Sequence, residues 1–247
     1  MSSAPRAIAL DACRAPEPRC VAAPARGTVV LLAPHADDDV IGAGGTAALH
    51  ARQGDRVHVI VVFDGLAGDP HGRYAPGELL ERRRREARAG GAHLGLTEYE
   101  FWDYPEGHVP GALEFAAGVR RLAARLRELA PATVYAPWVG EHHMDHHVLA
   151  RVARLALQLA DFRGEAWGYE VWTPLVPSLI VDITELHAAK VRALHEHESQ
   201  MGYTDYVHKV LGMQAQRSLY LPAQSLYGEA FAPLGAPAAE DRALLDG

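Results

Sequence analysis

Two short segments of the sequence concentrate side chains that bind metals or move protons. Pro34-His35-Ala36-Asp37-Asp38-Asp39 sets one imidazole and three carboxylates within five residues. Adjacent carboxylates raise one another's pKa unless a cation lies among them. Histidine nitrogen and aspartate oxygen are ordinary ligands for zinc. The bland alternative is that Asp37, Asp38 and Asp39 only open a helix and favour its dipole; His35 directly before them tips the reading towards metal. The second segment, Glu141-His142-His143-Met144-Asp145-His146-His147, holds four of the chain's 14 histidines. His143 and His146 share a helical face, and so do the pairs His142/His146 and His143/His147, so spacing alone leaves the ligand open. Asp145 can orient a neighbouring imidazole. A His, an Asp and a second His from the two segments would leave one position open to water, as at a catalytic zinc. A spare carboxylate then serves as general base and a spare histidine as acid or oxyanion stabiliser. The chemistry is metal-assisted hydrolysis.

Both segments follow apolar runs, and those runs must position them. Gly27 to Ala33 and Val57 to Phe63 read as strands buried on both faces, with a helix from Asp39 to Gln53 between them. Strand, helix and strand make a βαβ unit and so a parallel sheet. A Gly-, Pro- and Asp-rich loop follows over 64–77, then a helix from Glu78 to Leu94, a strand from Tyr99 to Trp102 and a helix from Ala112 to Leu129. Thr133 to Ala136 is a strand leading into the histidine segment, and His146 to Leu159 a helix. Ala166 to Trp172 and Leu179 to Val181 read as strands, and Thr184 as the cap of a helix reaching about Glu198. The expectation is one α/β domain over 27–247, Rossmann-like, with a mostly parallel sheet and helices on both faces, after an irregular Ala/Pro-rich leader over 1–26. Ligands of such sheets bind beyond the carboxyl ends of the strands, where both segments lie. Gly42, Gly44 and Gly45 come too late after the strand for a phosphate turn, and close helix–sheet packing accounts for them.

Composition narrows the function classes. The chain has 247 residues, 49% hydrophobic and 22% charged, which excludes disorder and coiled coil. A net charge of −7 argues against nucleic acid as a partner. No uncharged apolar stretch approaches the ~18–20 residues of a membrane helix. Charges at Arg6, Asp11, Arg14, Glu17, Arg19 and Arg26 interrupt any secretory apolar region, so a cytoplasmic location and no membrane partner are expected. Cys13 and Cys20 read as loose thiols.

The first segment resembles the Pro-His-Pro-Asp-Asp-Glu motif of the LmbE-like, or PIG-L, zinc-dependent N-acetylglucosaminyl deacetylases, and His143-Met144-Asp145-His146 resembles that family's His-Pro-Asp-His. Arg83-x-x-Glu86 with Gly95, His197-x-Ser199-Gln200, and Tyr227-Gly228-Glu229-Ala230-Phe231 are similar to its weaker signals. The resemblance implies one Zn2+ held by His35, Asp38 and His146. It also implies Asp37 as general base, His143 as oxyanion stabiliser and proton donor to the leaving amine, Asp145 as the group that positions a histidine, and Arg83 as a sugar contact. Ala36, Met144 and Asp39 depart from the motifs without removing a ligand or the base. Four successive arginines, Arg82 to Arg85, sweep about 300° of a helix, so at least one must leave solvent. Asp103 could contact sugar hydroxyls or cap a helix, His197 and Gln200 could support the site, and the 64–77 loop could cover it. The resulting expectation is a deacetylase of a small N-acetylglucosamine-like substrate. Lysine occurs only at Lys190 and Lys209, a faint sign of a GC-rich source and so of an antibiotic or thiol pathway. The alternatives are a non-catalytic nucleotide- or sugar-binding module and an amidase acting on a thiol conjugate.

Overall fold

Apolar runs lacking polar interruption are strands only where both faces are covered, and the computed structural model, which describes residues 17–244, has that arrangement. β1 (Arg19–Val21), β2 (Val29–Ala33), β3 (Val57–Phe63), β4 (Glu98–Tyr104), β5 (Thr133–Pro137), β6 (Glu165–Tyr169), β7 (Leu179–Asp182) and β8 (Gly228–Pro233) form one sheet. Its order is β1-β7-β8-β6-β5-β2-β3-β4. Every residue of β2 and β3 is buried. Val29, Leu31, Val57 and Val59 pack with α1 (Asp38–Arg52), α2 (Pro76–His93), α5 (His187–His195) and α7 (Tyr206–Arg217). The alternate residues Val30, Leu32 and Ile60 pack with α3 (Ala112–Leu129) and α4 (Met144–Leu159) on the opposite face. Two short helices, α6 (Glu198–Met201) and α8 (Ala239–Ala243), complete the chain.

β2 pairs in parallel with β3 on one side and with β5 on the other. The chain runs outward from β2 through β3 to β4, then returns to β5 beside β2. The carboxyl ends of β2 and β5 therefore flank the crevice where strand order reverses, the place such sheets bind ligands. The sheet is mostly parallel, as expected; β8 alone is antiparallel, to β6 and β7.

Three local expectations fail. Residues 1–16, with Cys13, lie outside the described residues, but Arg19–Val21, read as irregular leader, is an edge strand parallel to β7. Three residues are too short to show a period. Thr184 does not cap a long helix: its hydroxyl accepts from the Leu226 and Tyr227 N–H groups, a 3-10 turn over Thr184–Leu186 follows, and α5 ends at His195. β8 and α7 were not anticipated as elements.

The glycines of α1 pack as expected. A Cβ at Gly42 would lie 2.1 Å from the Tyr169 ring, and one at Gly45 2.6 Å from Ile183. Glu229 also reaches α1, accepting from the N–H groups of Gly45 at 2.8 Å and Thr46 at 2.7 Å. Lys190, wholly buried, pairs with Glu229 and donates to the Ile41 carbonyl at 2.8 Å. A buried charge pair thus fixes the helix that begins with Asp38.

Candidate active site

The turn between β2 and α1 carries His35, Asp37 and Asp38, and the start of α4 carries His143, Asp145 and His146. His35 Nδ1 lies 3.1 Å and His146 Nε2 3.2 Å from Asp38 Oδ2, and all three side chains are buried. Their ligand atoms lie within 4.8 Å of one another. Neither ring nitrogen of His146 has a hydrogen-bond partner, although its side chain is wholly shielded from solvent. Two imidazole nitrogens converging on one carboxylate oxygen, with an orphaned buried nitrogen among them, are a donor set that fits a divalent cation.

Electrostatics points the same way. Burial opposes a charge on His35, yet hydrogen bonds to Asp145 and Asp38 outweigh it and raise its pKa to about 10. His146 likewise rises to about 9 against the cost of burial, chiefly through Asp38. Burial would raise Asp38, but the two imidazoles hold it well below the carboxylate range. The carboxylates around the cluster thus favour positive charge at its centre.

A second group of carboxylates orients these rings. Asp145 Oδ2 lies 3.1 Å from His35 Nε2, and Asp145 accepts from the Gly107 N–H at 3.1 Å. With Nε2–H donating to Asp145, the Nδ1 lone pair of His35 faces Asp38. Glu106 Oε1 stands 3.6 Å from the same nitrogen. Glu141 is buried, accepts from Val171 N–H at 2.7 Å and from Trp172 and Thr173 N–H at 3.2 Å, and places Oε2 3.6 Å from His146 Nδ1. The sequence reading missed both glutamates. Glu106 sits alone in a loop with no spacing signal; Glu141 directly precedes the histidine run, which was its one visible cue.

His143 caps α4, its Nδ1 accepting from Asp145 N–H at 3.3 Å. Its ring centroid lies 5.1 Å from His35 and 4.7 Å from His146. Burial, and then the charges on His146 and His35, lower its pKa, leaving a neutral imidazole beside the cluster. His142 is exposed, and His147 Nδ1 turns to the Val139 carbonyl at 2.8 Å, so neither joins the group.

Of the four arginines, Arg83 alone is buried. Its guanidinium lies 3.3 Å from Asp37 Oδ1 and donates to the Gly65 carbonyl at 2.8 Å. A Cβ at Gly65, whose φ is +70°, would stand 2.5 Å from that guanidinium. Arg83 thus holds Asp37 and the first turn of the 64–77 loop together. Gln200 donates to the Gly68 carbonyl at 3.3 Å, and Ser199 donates to Glu86 on α2 through both its hydroxyl and its N–H. These residues brace the loop and α2. Asp103 stays outside: it pairs with Arg84 on the surface, and Glu106 is the carboxylate from this strand end that reaches His35.

Three comparisons bear on this site. The sequence pattern of the PIG-L family, described as GlcNAc-PI de-N-acetylase, matches residues 30–157. The chain is 26% identical over 193 residues to a diacetylchitobiose deacetylase of Thermococcus kodakarensis, covering 70% of this chain and 69% of that one. It is 29% identical over 219 residues to a 4-oxalmesaconate hydratase of Pseudomonas putida, covering 78% and 82%. In fold it is similar to the N,N'-diacetylchitobiose deacetylase of Pyrococcus horikoshii, with TM-score 0.70, 24% identity and 86% and 88% of the two chains covered. It is equally similar to the 4-carboxy-2-hydroxymuconate hydratase of Pseudomonas putida, with TM-score 0.72, 23% identity and 87% and 98% covered.

Proposed function

This chain belongs to the PIG-L family, and from that premise we propose that it is a metal-dependent N-deacetylase of an N-acetylglucosamine-like amino sugar, using one divalent ion, zinc by its donor set. The observation that carries the reading is the convergence of His35, Asp38 and His146, with Asp37 and His143 beside them. When bound, such an ion polarises the amide carbonyl and makes a water molecule more acidic.

The chain's own residues do the rest. His35, Asp38 and His146 hold the ion, and Asp145 and Glu141 keep the two rings turned towards it. Asp37 takes the proton of the attacking water, and Arg83 holds its carboxylate in place. His143 donates a hydrogen bond to the oxygen of the tetrahedral species, and the proton that Asp37 took from the water passes to the departing nitrogen, which returns Asp37 to its carboxylate form. Acetate and a free amine leave. This assigns Arg83 to Asp37 instead of to the sugar, because both its contacts are already made inside the protein.

Hydration of a carbon–carbon double bond is the second reading, favoured by the hydratase relative. The surroundings argue against its anionic substrate. Glu106, Asp145 and Glu141 ring the cluster, and the guanidinium touching it, Arg83, is engaged by Asp37 and Gly65. A neutral amide meets less repulsion there. Incubating the zinc-loaded protein with methyl N-acetylglucosaminide and, separately, with 4-oxalmesaconate decides between them. Acetate from the sugar supports deacetylation; hydration of the acid without acetate release would overturn it.

A further inference from the structure

A cleft of about 200 Å³ lies between α1, α7 and the turn that follows β6. Pockets that hold a whole ligand run to roughly 300–1,000 Å³, so this one has room for one ring of a larger molecule. Ile41, Val210 and Met213 supply apolar walls. Three connections tie the cleft to the histidine–aspartate cluster. Ile41 follows Asp38 by three residues on α1, about one helical turn. Val171 and Trp172, at the turn, donate their N–H groups to Glu141, which places Oε2 3.6 Å from His146 Nδ1. Burial raises the Tyr206 pKa, and Asp37 and Asp38 add to the rise, so the hydroxyl keeps its proton and lies within the field of their charges.

Trp172 is 48% exposed, although tryptophan is well buried on average. Its backbone is fixed in that position. Glu141 holds the N–H groups of 171–173, the Thr173 hydroxyl accepts from His142 N–H at 3.0 Å, and the Thr173 carbonyl accepts from Trp138 Nε1 at 2.8 Å. The ring centroids of Trp172 and Tyr206 are 5.8 Å apart and the rings are inclined at 54°, so two aromatic walls meet at an angle. The face of an aromatic ring is electron-rich. The C–H face of a pyranose is apolar and weakly positive, and its hydroxyls point outward, so a sugar ring lies on such a wall and keeps its polar groups free. Lys209 is the one charged residue lining the cleft. It stands three residues beyond Tyr206 on α7, about one turn. Its Nζ donates to the neutral Thr204 hydroxyl, which leaves its charge uncompensated among the described residues. An acidic group repelled from the cluster by Glu106, Asp145 and Glu141 meets the opposite charge here.

We propose that this cleft is a subsite for a second sugar ring that bears a carboxylate and is joined to the amino sugar whose amide is cleaved at the cluster. The ring lies on Trp172, and its carboxylate pairs with Lys209. The inference rests on the deacetylase reading and deepens it: the substrate is an acidic disaccharide or longer glycan, with a uronic acid next to the N-acetylglucosamine-like unit.

The test is calorimetric binding to the zinc-loaded Asp37→Asn protein, in which turnover is slowed. The probes are methyl N-acetylglucosaminide and two pairs of disaccharides, with glucuronic acid or glucose attached to the anomeric oxygen or to O4 of N-acetylglucosamine. In one pair the acidic member should bind about threefold tighter than its neutral partner at low salt, the worth of an exposed charge pair. That margin should vanish in about 1 M salt, which screens charges beyond about 3 Å. Adding Lys209→Met should erase it too and leave the neutral disaccharide within about twofold. Adding Trp172→Ala should weaken both members of that pair about fivefold and leave the monosaccharide within about twofold; Trp172→Phe should keep most of the binding. Acidic and neutral members that bind alike in both pairs, a margin that survives Lys209→Met, or disaccharide binding untouched by Trp172→Ala overturns the proposal. Amine release by the unaltered protein is read separately: if the acidic preference holds and no amine appears, the deacetylase reading fails and the subsite stands.

Discussion

Asp37 and Asp38 are neighbours in the chain with different surroundings. Asp38 faces two imidazoles, whereas Asp37 faces the Arg83 guanidinium. Asp37→Asn should therefore retain zinc in elemental analysis yet lose about 10²–10⁴ in kcat, the worth of a general base; near-normal turnover would remove Asp37 from that role. Arg83→Ala should mainly lower kcat, because it frees Asp37, while Arg82→Ala and Arg85→Ala change kinetics little. A fall confined to KM would return Arg83 to substrate binding. His197 tests a different property. It is buried, its Nε2 lacks a partner, and burial pushes its pKa down to about 4 despite Asp37 and Asp38, with Arg83 adding to the fall. Between its unfolded value of ~6.5 and about 4, the unfolded chain binds a proton that the folded chain refuses, so stability falls as pH falls through that window. In urea titrations from pH 7 to pH 4, His197→Gln should flatten the loss by up to about 1.4 kcal/mol per pH unit. The histidines and aspartates of the cluster were legible because they lie close together in sequence. Glu106 and Glu141 were not assigned, because their roles depend on where a loop and a backbone turn come to rest.

At the scale of elements, α1 carries two burdens: it begins at Asp38 and it is clamped from behind by Lys190 and Glu229. Burial lowers the Lys190 pKa, against the pull of Glu229. Removing one partner strands the other charge. Glu229→Ala should destabilise the fold by about 3–5 kcal/mol in denaturant titration, and the double change Lys190→Met with Glu229→Leu should recover much of it. Equal stability of the single variant and the parent would show that the pair carries no such load. The strands of the parallel core were legible because two-sided burial leaves unbroken apolar runs, as in Val57–Phe63. β8 was not, since Gly228–Pro233 includes glycine, glutamate and proline, and its buried glutamate is satisfied by Lys190 and by the Gly45 and Thr46 N–H groups, partners far away in sequence. α7 was missed as well: Tyr206–Arg217 has few buried positions and a glycine at Gly212.

Across the whole molecule, the sheet's topology unites what the sequence separates. His35 and Asp145 stand 110 residues apart and meet at 3.1 Å because β2 and β5 are adjacent where strand order reverses. Two clusters at two strand ends made convergence an expectation; spacing left the histidine open, the family resemblance pointed to His146, and His146, not His142 or His147, joins His35 and Asp38 in the structure. No helix among the described residues is long and apolar enough to cross a membrane. If the cluster is the centre of an amide hydrolase, metal and activity must rise together. The decisive measurement is a zinc titration of chelator-stripped protein, following acetate release from a cleaved N-acetylglucosaminide at each addition. The account predicts a linear rise that breaks at one equivalent per chain in the parent and a flat line in His146→Ala. Acetate release that is undiminished by stripping, or that follows zinc equally well in His146→Ala, would contradict it.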